Sequence, residues 1–279
     1  MCATCGCSTG LEAHDHARDH DHAHDHDHGD GHASGEEITL EQKILAKNDQ
    51  LASQNRAWLR ERGILAVNLM SSPGSGKTTL LERSARDLAA RLALSVIEGD
   101  QETALDANRI QAAGARVVQI NTGAGCHLDA AMVGGALREL DPPAGSVVVI
   151  ENVGNLVCPA LFDLGEAARV VLASVTEGTD KPLKYPQMFR SADLVVVTKT
   201  DLSPYVDFDI ERFGGYIGQV SPQAMMIHLS AVTGYGLPTW YDWLASTVPG
   251  RRDDSLAQAD AAVVAGDLGV GEDAETAGL

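Results

Sequence analysis

Residues 71–80 read SSPGSGKTTL. A glycine-rich run ending in Lys-Thr is the pattern of a phosphate-binding loop, G-x-x-x-x-G-K-[ST]. Gly74 and Gly76 free the backbone around Ser75 to turn its N–H groups inward on phosphate oxygens, and a following helix adds its positive end. In this reading the nucleotide lies on Gly74, Ser75, Gly76, Lys77, Thr78 and Thr79. Lys77 reaches the β- and γ-phosphates, and the Thr78 hydroxyl holds Mg²⁺. Ser71 stands where the first glycine is usual, which restricts the backbone without removing the anion nest.

Such a loop needs a carboxylate for Mg²⁺ at the end of another strand. Glu151 directly follows Val147, Val148, Val149 and Ile150; Asp100 follows Val96, Ile97, Glu98 and Gly99. Lys77, Thr78, Asp100 and Glu151 are therefore the expected catalytic set, for in-line attack of water with Lys77 and Mg²⁺ stabilising the spreading charge. No water-positioning residue is legible: Asn155, not Gln, follows Gly154.

A second motif names the base. Thr198-Lys199-Thr200-Asp201 resembles the N-K-x-D signature of guanine readers, with Thr in place of Asn. Guanine presents N1–H and an N2 amino group, both donors, which one Asp201 carboxylate can accept; adenine offers an acceptor at N1 and would leave it unpaired. Polar pairing of this kind can discriminate by about 10⁴ or more. The Lys199 stem would pack along the base. Ser230-Ala231, after a further apolar run, would offer a backbone N–H to guanine O6.

The five cysteines form two clusters. Cys2, Cys5 and Cys7 crowd three thiolates at the N-terminus, where the terminal amine can complete an S₃N set that suits Ni²⁺ over Zn²⁺. Behind them run eight histidines interleaved with Asp: His14, His16, His20, His22, His24, His26, His28 and His32. Imidazole tracts bind several ions weakly, and the acids lower the cost of gathering cations. The second cluster is Cys126-His127, read as opening a helix, with Cys158 seven residues beyond Glu151. This is an incomplete tetrahedral set whose fourth ligand is water, another side chain or a residue of a second subunit. Because Glu151 and Cys158 share one loop, nickel or zinc affinity and nucleotide affinity should be coupled.

These residues must be positioned by the middle of the chain. Residues 1–37 hold nine acids and one base, and residues 250–279 seven acids and two bases, within a total charge of −18 over 279 residues. Residues 1–37 read as a mostly disordered metal-binding tail, 38–249 as a GTPase domain, and 250–279 as an acidic Ala/Gly-rich tail. The nearly balanced middle excludes a general nucleic-acid binder and an anionic-membrane docker. Few cysteines, clustered as ligands, and no leader or membrane-spanning run point to the cytoplasm. Apolar runs at 64–70, 94–98, 116–120, 146–150, 169–175, 193–198 and 225–229 alternate with helical spacing at 77–92, 103–113 and 128–140, with further helices at 40–62 and 238–247. Such alternation predicts an α/β P-loop fold with a mainly parallel, helix-flanked sheet in three layers, its ligand beyond the carboxyl ends of the strands.

Read jointly, MCATCGC, SSPGSGKTTLLE, INTGAGCHLDA, ENVGNLVCPA, TEGTDKPLKYPQMF, VVVTKTDL and LSAVTGYG resemble the HypB family, the GTPases that help deliver nickel in [NiFe]-hydrogenase maturation. The resemblance covers about residues 1–7 and 38–248. It implies a P-loop GTPase of the dimerising branch with slow hydrolysis of GTP, a tight nickel site at Cys2, Cys5 and Cys7, and a nickel or zinc site at Cys126, His127 and Cys158. It implies a HypA-like nickel chaperone as partner and the hydrogenase large-subunit precursor as client. The histidine tract matches members that also store nickel. Three rivals are a urease-type nickel GTPase resembling UreG, whose metal motif is Cys-Pro-His; a small-molecule P-loop kinase, which should prefer ATP; and a metal-storage protein with a vestigial P-loop.

Overall fold

The computed structural model describes residues 35–100, 104–123 and 125–249. Cys2, Cys5, Cys7, the histidine tract and the acidic tail lie outside the described residues. The chain divides into two units, Met1–Lys47 and Asn48–Leu279. The described part of the first is the opening stretch of helix α1 (Gly35–Glu61), where Leu40 and Ile44 are exposed. The helix begins five residues before its expected start at residue 40, so it runs across the boundary placed between residues 37 and 38.

The second unit holds the rest. Strands β1 (Leu65–Ser71), β2 (Leu94–Asp100), β3 (Arg116–Asn121), β4 (Val147–Glu151), β5 (Ala168–Ser174), β6 (Leu194–Thr198) and β7 (Met225–His228) each fall within two residues of an apolar run seen in the sequence. They form one sheet in the order β3-β2-β4-β1-β5-β6-β7, every pairing parallel. Parallel pairing requires crossovers, and the helices that supply them cover both faces, which is why β1 and β4 are buried along their whole length. On one face Leu65, Val67 and Leu69 pack with Leu80, Leu81 and Leu88 of α2 (Lys77–Leu88), Ile110 of α3 (Leu105–Ala112) and Trp240 and Leu244 near the C-terminus. On the other, Ala66, Val148 and Ile150 meet Leu59 and, from α4 (Ala130–Leu140), Val133 and Leu137. The carboxyl ends of the strands thus share one edge.

Three helices were not legible: α5 (Lys181–Lys184), α6 (Pro186–Arg190) and α7 (Ile210–Val220). The last carries Gly214, Gly215 and Gly218, poor helix formers. It is held by its Asp209 cap, whose carboxylate accepts from Arg212 N, and by burial of Phe213 and Ile217. The final helix, α8 (Leu237–Thr247), lies where expected. Among the described residues no helix is long and apolar enough to cross a membrane.

Candidate nucleotide site and thiol–imidazole centre

β1 ends at Ser71, and the chain reverses through Gly74 (φ 73°) and Gly76 (φ 95°) into α2. At Gly76 any side chain would be strained, and its Cβ would sit 3.8 Å from Lys199 Cε. Lys77 Nζ donates to Ser71 Oγ at 2.9 Å. The residue that departs from the loop pattern is thus the one that holds the lysine. Burial pulls the Lys77 ammonium below its ordinary range, with Glu151 and Asp106 opposing. A cavity of about 490 Å³ opens over the loop, lined by Gly74, Gly76, Lys77, Thr78 and Thr79 and by both expected Mg²⁺ carboxylates, Asp100 and Glu151. Ser75 lies behind it, with its hydroxyl directed away to Glu177.

Thr78 Oγ1 donates to Glu151 Oε1 at 2.9 Å and lies 3.0 Å from Asp106 Oδ2. Asp106, on α3, and Glu98, on β2, also line the cavity. Neither was singled out in the sequence, because nothing in their spacing marks them; the β2–α3 crossover brings them in. Burial pushes Glu151 up to about 7, against Lys77 and the Thr78 hydroxyl. It pushes Glu98 up to about 8, with Glu151 and Asp100 adding to the rise. Glu98 Oε2 and Glu151 Oε2 are buried without a hydrogen-bond partner. Crowded carboxylates around a P-loop threonine, two with orphaned oxygens, fit a hard divalent cation such as Mg²⁺.

The raised values carry a sign. A folded carboxyl that keeps its proton where the unfolded chain has lost it makes stability fall as pH rises. The contribution of Glu98 to the melting temperature of the nucleotide-free, Mg²⁺-free protein should therefore decline as pH rises from 4.5 towards 8, the interval of its shift. Glu98→Gln should gain melting temperature relative to wild type across that interval. A difference between the two proteins that stays constant with pH would contradict this account.

The loop is braced from behind. Glu177, after β5, accepts from Ser72 Oγ and Ser75 Oγ, both at 2.6 Å, and pairs with Lys181, whose Nζ also donates to Ser72 Oγ at 2.8 Å. Although burial opposes it, hydrogen bonds from Lys181, Ser72 and Ser75 hold the Glu177 carboxyl below its ordinary range. Lys181 thus sets its run, residues 179–186, against the phosphate loop.

On the base side, Thr198 Oγ1 donates to Ser75 O at 2.7 Å and Lys199 Nζ to Gly74 O at 2.7 Å. The threonine thus ties the signature to the phosphate loop. Lys199 is left-handed (φ 58°), which turns the chain so that Asp201 follows on a 3-10 helix, Thr200–Tyr205. Asp201 Oδ1 is buried with no partner. The Ser230-Ala231 turn is held by Ser230 Oγ, which accepts from Thr233 N at 3.2 Å, and by Arg83 Nη1, which donates to Ala231 O at 3.3 Å.

The second cluster closes in space. Cys126 Sγ lies 2.8 Å from Cys158 Sγ and 3.7 Å from His127 Nδ1, and one ligand atom from each residue falls within 4.8 Å of the others. Cys126 and His127 do not open the helix as expected: α4 starts at Ala130 with Asp129 as its cap, whose carboxylate accepts from Met132 N. The pair sits in the loop before it, because the helix is capped by the short Asp129 carboxylate, the kind of oxygen acceptor a helix start favours. Cys158 opens a 3-10 helix, Cys158–Leu161, set by Asn155 Oδ1, which accepts from Val157 N and Cys158 N. The His127 ring stacks on Phe162 at 3.9 Å, and burial pulls it below the ordinary imidazole range against Asp129, towards the neutral form that can donate a lone pair. Two thiols and an imidazole from two loops fit a tetrahedral or tetragonal transition-metal ion. Halfway along segment 151–158, a Cβ on Gly154 would stand 3.0 Å from Pro73 Cα. The segment that starts at Glu151 and ends at Cys158 thus lies directly against the phosphate loop.

A parallel sheet with a phosphate loop at its central strand, a braced T-K-x-D turn and acids at the P-loop threonine define a P-loop nucleotide-binding protein. Residues 65–228 match the family model described as CobW/HypB/UreG, nucleotide-binding domain. A hydrogenase maturation factor HypB from Rhizobium leguminosarum bv. viciae is 55% identical over 207 residues, which are 74% of this chain and 69% of that one. The crystal structure of hydrogenase maturation factor HypB from Archaeoglobus fulgidus superposes with a TM-score of 0.69 at 41% identity, over 73% of this chain and 100% of the other. That of HypB from Helicobacter pylori in complex with nickel gives 0.67 at 39%, over 71% and 93%. The chain belongs to the CobW/HypB/UreG nucleotide-binding family, on its HypB branch.

Proposed function

We propose that this protein is a GTP-hydrolysing metallochaperone that binds, stores and delivers Ni(II) during [NiFe]-hydrogenase maturation, with metal release coupled to its nucleotide cycle. The observation that carries the reading is segment 151–158: Glu151 bonds Thr78 at one end, Cys158 meets Cys126 at the other, and Gly154 presses on Pro73 between them. When Mg²⁺·GTP occupies the loop, Lys77 and the backbone N–H groups hold the phosphates, Thr78 with Glu151 or Asp100 holds the cation, and Asp201 reads the base. A change at Glu151 then reaches Cys158 through seven residues of one chain. Terminal Cys2, Cys5 and Cys7 take nickel tightly, the histidine tract holds a reserve, and Cys126, His127 and Cys158 take nickel or zinc. A HypA-like chaperone, the hydrogenase large-subunit precursor and a second copy of the chain are the partners, in the cytoplasm. The relatives from Rhizobium leguminosarum and Archaeoglobus fulgidus are hydrogenase maturation factors, and HypB from Helicobacter pylori was crystallised with nickel.

The test is a nickel titration of the full chain, with and without Mg²⁺ and a non-hydrolysable GTP analogue, read by thiolate absorbance and mass. Nickel affinity at the internal site should change by about 5- to 150-fold, and the analogue's affinity by the same factor when nickel is present. Superimposable isotherms would remove the coupling.

A further inference from the structure

Two cavities flank the Thr198–Asp201 turn. Lys199 lines the one over the phosphate loop; Asp201, two residues on, lines a second of about 380 Å³ with Ser203, His228, Ile210 and Tyr235. Asp201 and Ser203 come from the same 3-10 helix, and His228 is the last residue of β7, two before the Ser230-Ala231 turn. Asp201 Oδ1, Ser203 Oγ and His228 Nε2 are each buried without a hydrogen-bond partner. Three polar atoms left unmade around one cavity is an expensive arrangement for a fold that meant to keep it empty. Two of the three residues have no role in the base-reading signature.

Guanine's donors, N1–H and the two hydrogens of the 2-amino group, can engage all three residues, with His228 and Ser203 sharing the last hydrogen. Asp201 can accept N1–H and one hydrogen of the 2-amino group. The other amino hydrogen still needs an acceptor. A neutral imidazole protonated on Nδ1 accepts at Nε2, and burial pulls the His228 ring below its ordinary range, towards that neutral form. A serine hydroxyl accepts as well. We infer that His228 Nε2 and Ser203 Oγ complete the guanine pocket by reading the exocyclic 2-amino group, so that the protein selects 2-aminopurine nucleotides over hypoxanthine ones and not merely over adenine. The inference rests on the guanine reading of Asp201 and adds specificity-determining residues to it.

Calorimetric titration of the Mg²⁺-loaded full chain with GDP, IDP and ADP tests it, because IDP keeps N1–H and O6 but lacks the 2-amino group. Wild type should bind GDP more tightly than IDP. His228→Phe should weaken GDP roughly five- to tenfold, the loss of about one hydrogen bond, and leave IDP unchanged. His228→Gln, whose amide oxygen can accept, should recover most of the GDP/IDP ratio, and Ser203→Ala should lower it in the same direction as His228→Phe. Should the phenyl ring disturb folding, His228→Ala reads the same ratio. Equal weakening of GDP and IDP, or an unaltered ratio in the His228 and Ser203 variants, would overturn the inference while a strong GDP-over-ADP preference left the guanine reading intact. A wild type that binds ADP as well as GDP would overturn both.

Discussion

Asp201→Asn should invert the base preference, from guanine towards xanthine nucleotides. The carboxylate accepts two guanine donors, N1–H and N2–H. An asparagine offers one acceptor and one NH₂ donor, so it keeps N1–H but sets a donor against the guanine amino group. Xanthine carries a carbonyl at that position and pairs with the new donor. Loss for GDP and gain for XDP multiply, and sites of this polar kind discriminate by about 10⁴. The substitution should leave folding intact, because Asp201 Oδ1 has no partner within the protein and the neighbouring braces, Thr198 to Ser75 and Lys199 to Gly74, do not pass through it. Competition between GDP and XDP for the full chain measures the ratio. Retained preference for GDP would take Asp201 out of base reading.

Cys126→Ala and Cys158→Ala should each abolish binding at the internal metal centre. Removing even an outer-shell partner costs metal sites about 10- to 100-fold, and here one of only three protein ligands goes. The remaining thiol and the stacked His127 form no closed set. Metal content after dialysis should fall by one ion per chain, with the site proposed at Cys2, Cys5 and Cys7 retained, and thiolate-to-metal absorbance should fall with it. Nucleotide binding should survive, since neither cysteine lines the cavity over the phosphate loop. The response of metal affinity to a GTP analogue should vanish with the ion. Unchanged stoichiometry in both variants would remove this centre from the account.

Much of the fold was legible because its signals are local. The parallel strands are buried on both faces, so they read as continuous apolar runs, and the phosphate loop is a contiguous string whose glycines and Lys77 have one common use. Elements whose helicity depends on tertiary burial were not legible: α7 carries three glycines and is a helix because Phe213 and Ile217 are covered. The start of α4 was misjudged by two residues because its cap, Asp129, outweighs the apolar pattern at Leu128.

The sequence by itself determined the chemistry available: a phosphate nest, a carboxylate to read guanine, and soft ligands for a transition ion. Residue type and short-range spacing are properties of a string, and these motifs consist of little else. Only the tertiary structure decided which groups meet. Crossovers of the parallel sheet bring Asp106 to Thr78, set Glu177 and Lys181 behind Ser72 and Ser75, gather Cys126 and Cys158 from separate loops, and leave His228 facing the same space as Asp201. Those encounters lie dozens of residues apart along the chain, and no local pattern encodes a distance that the closing of the sheet alone creates.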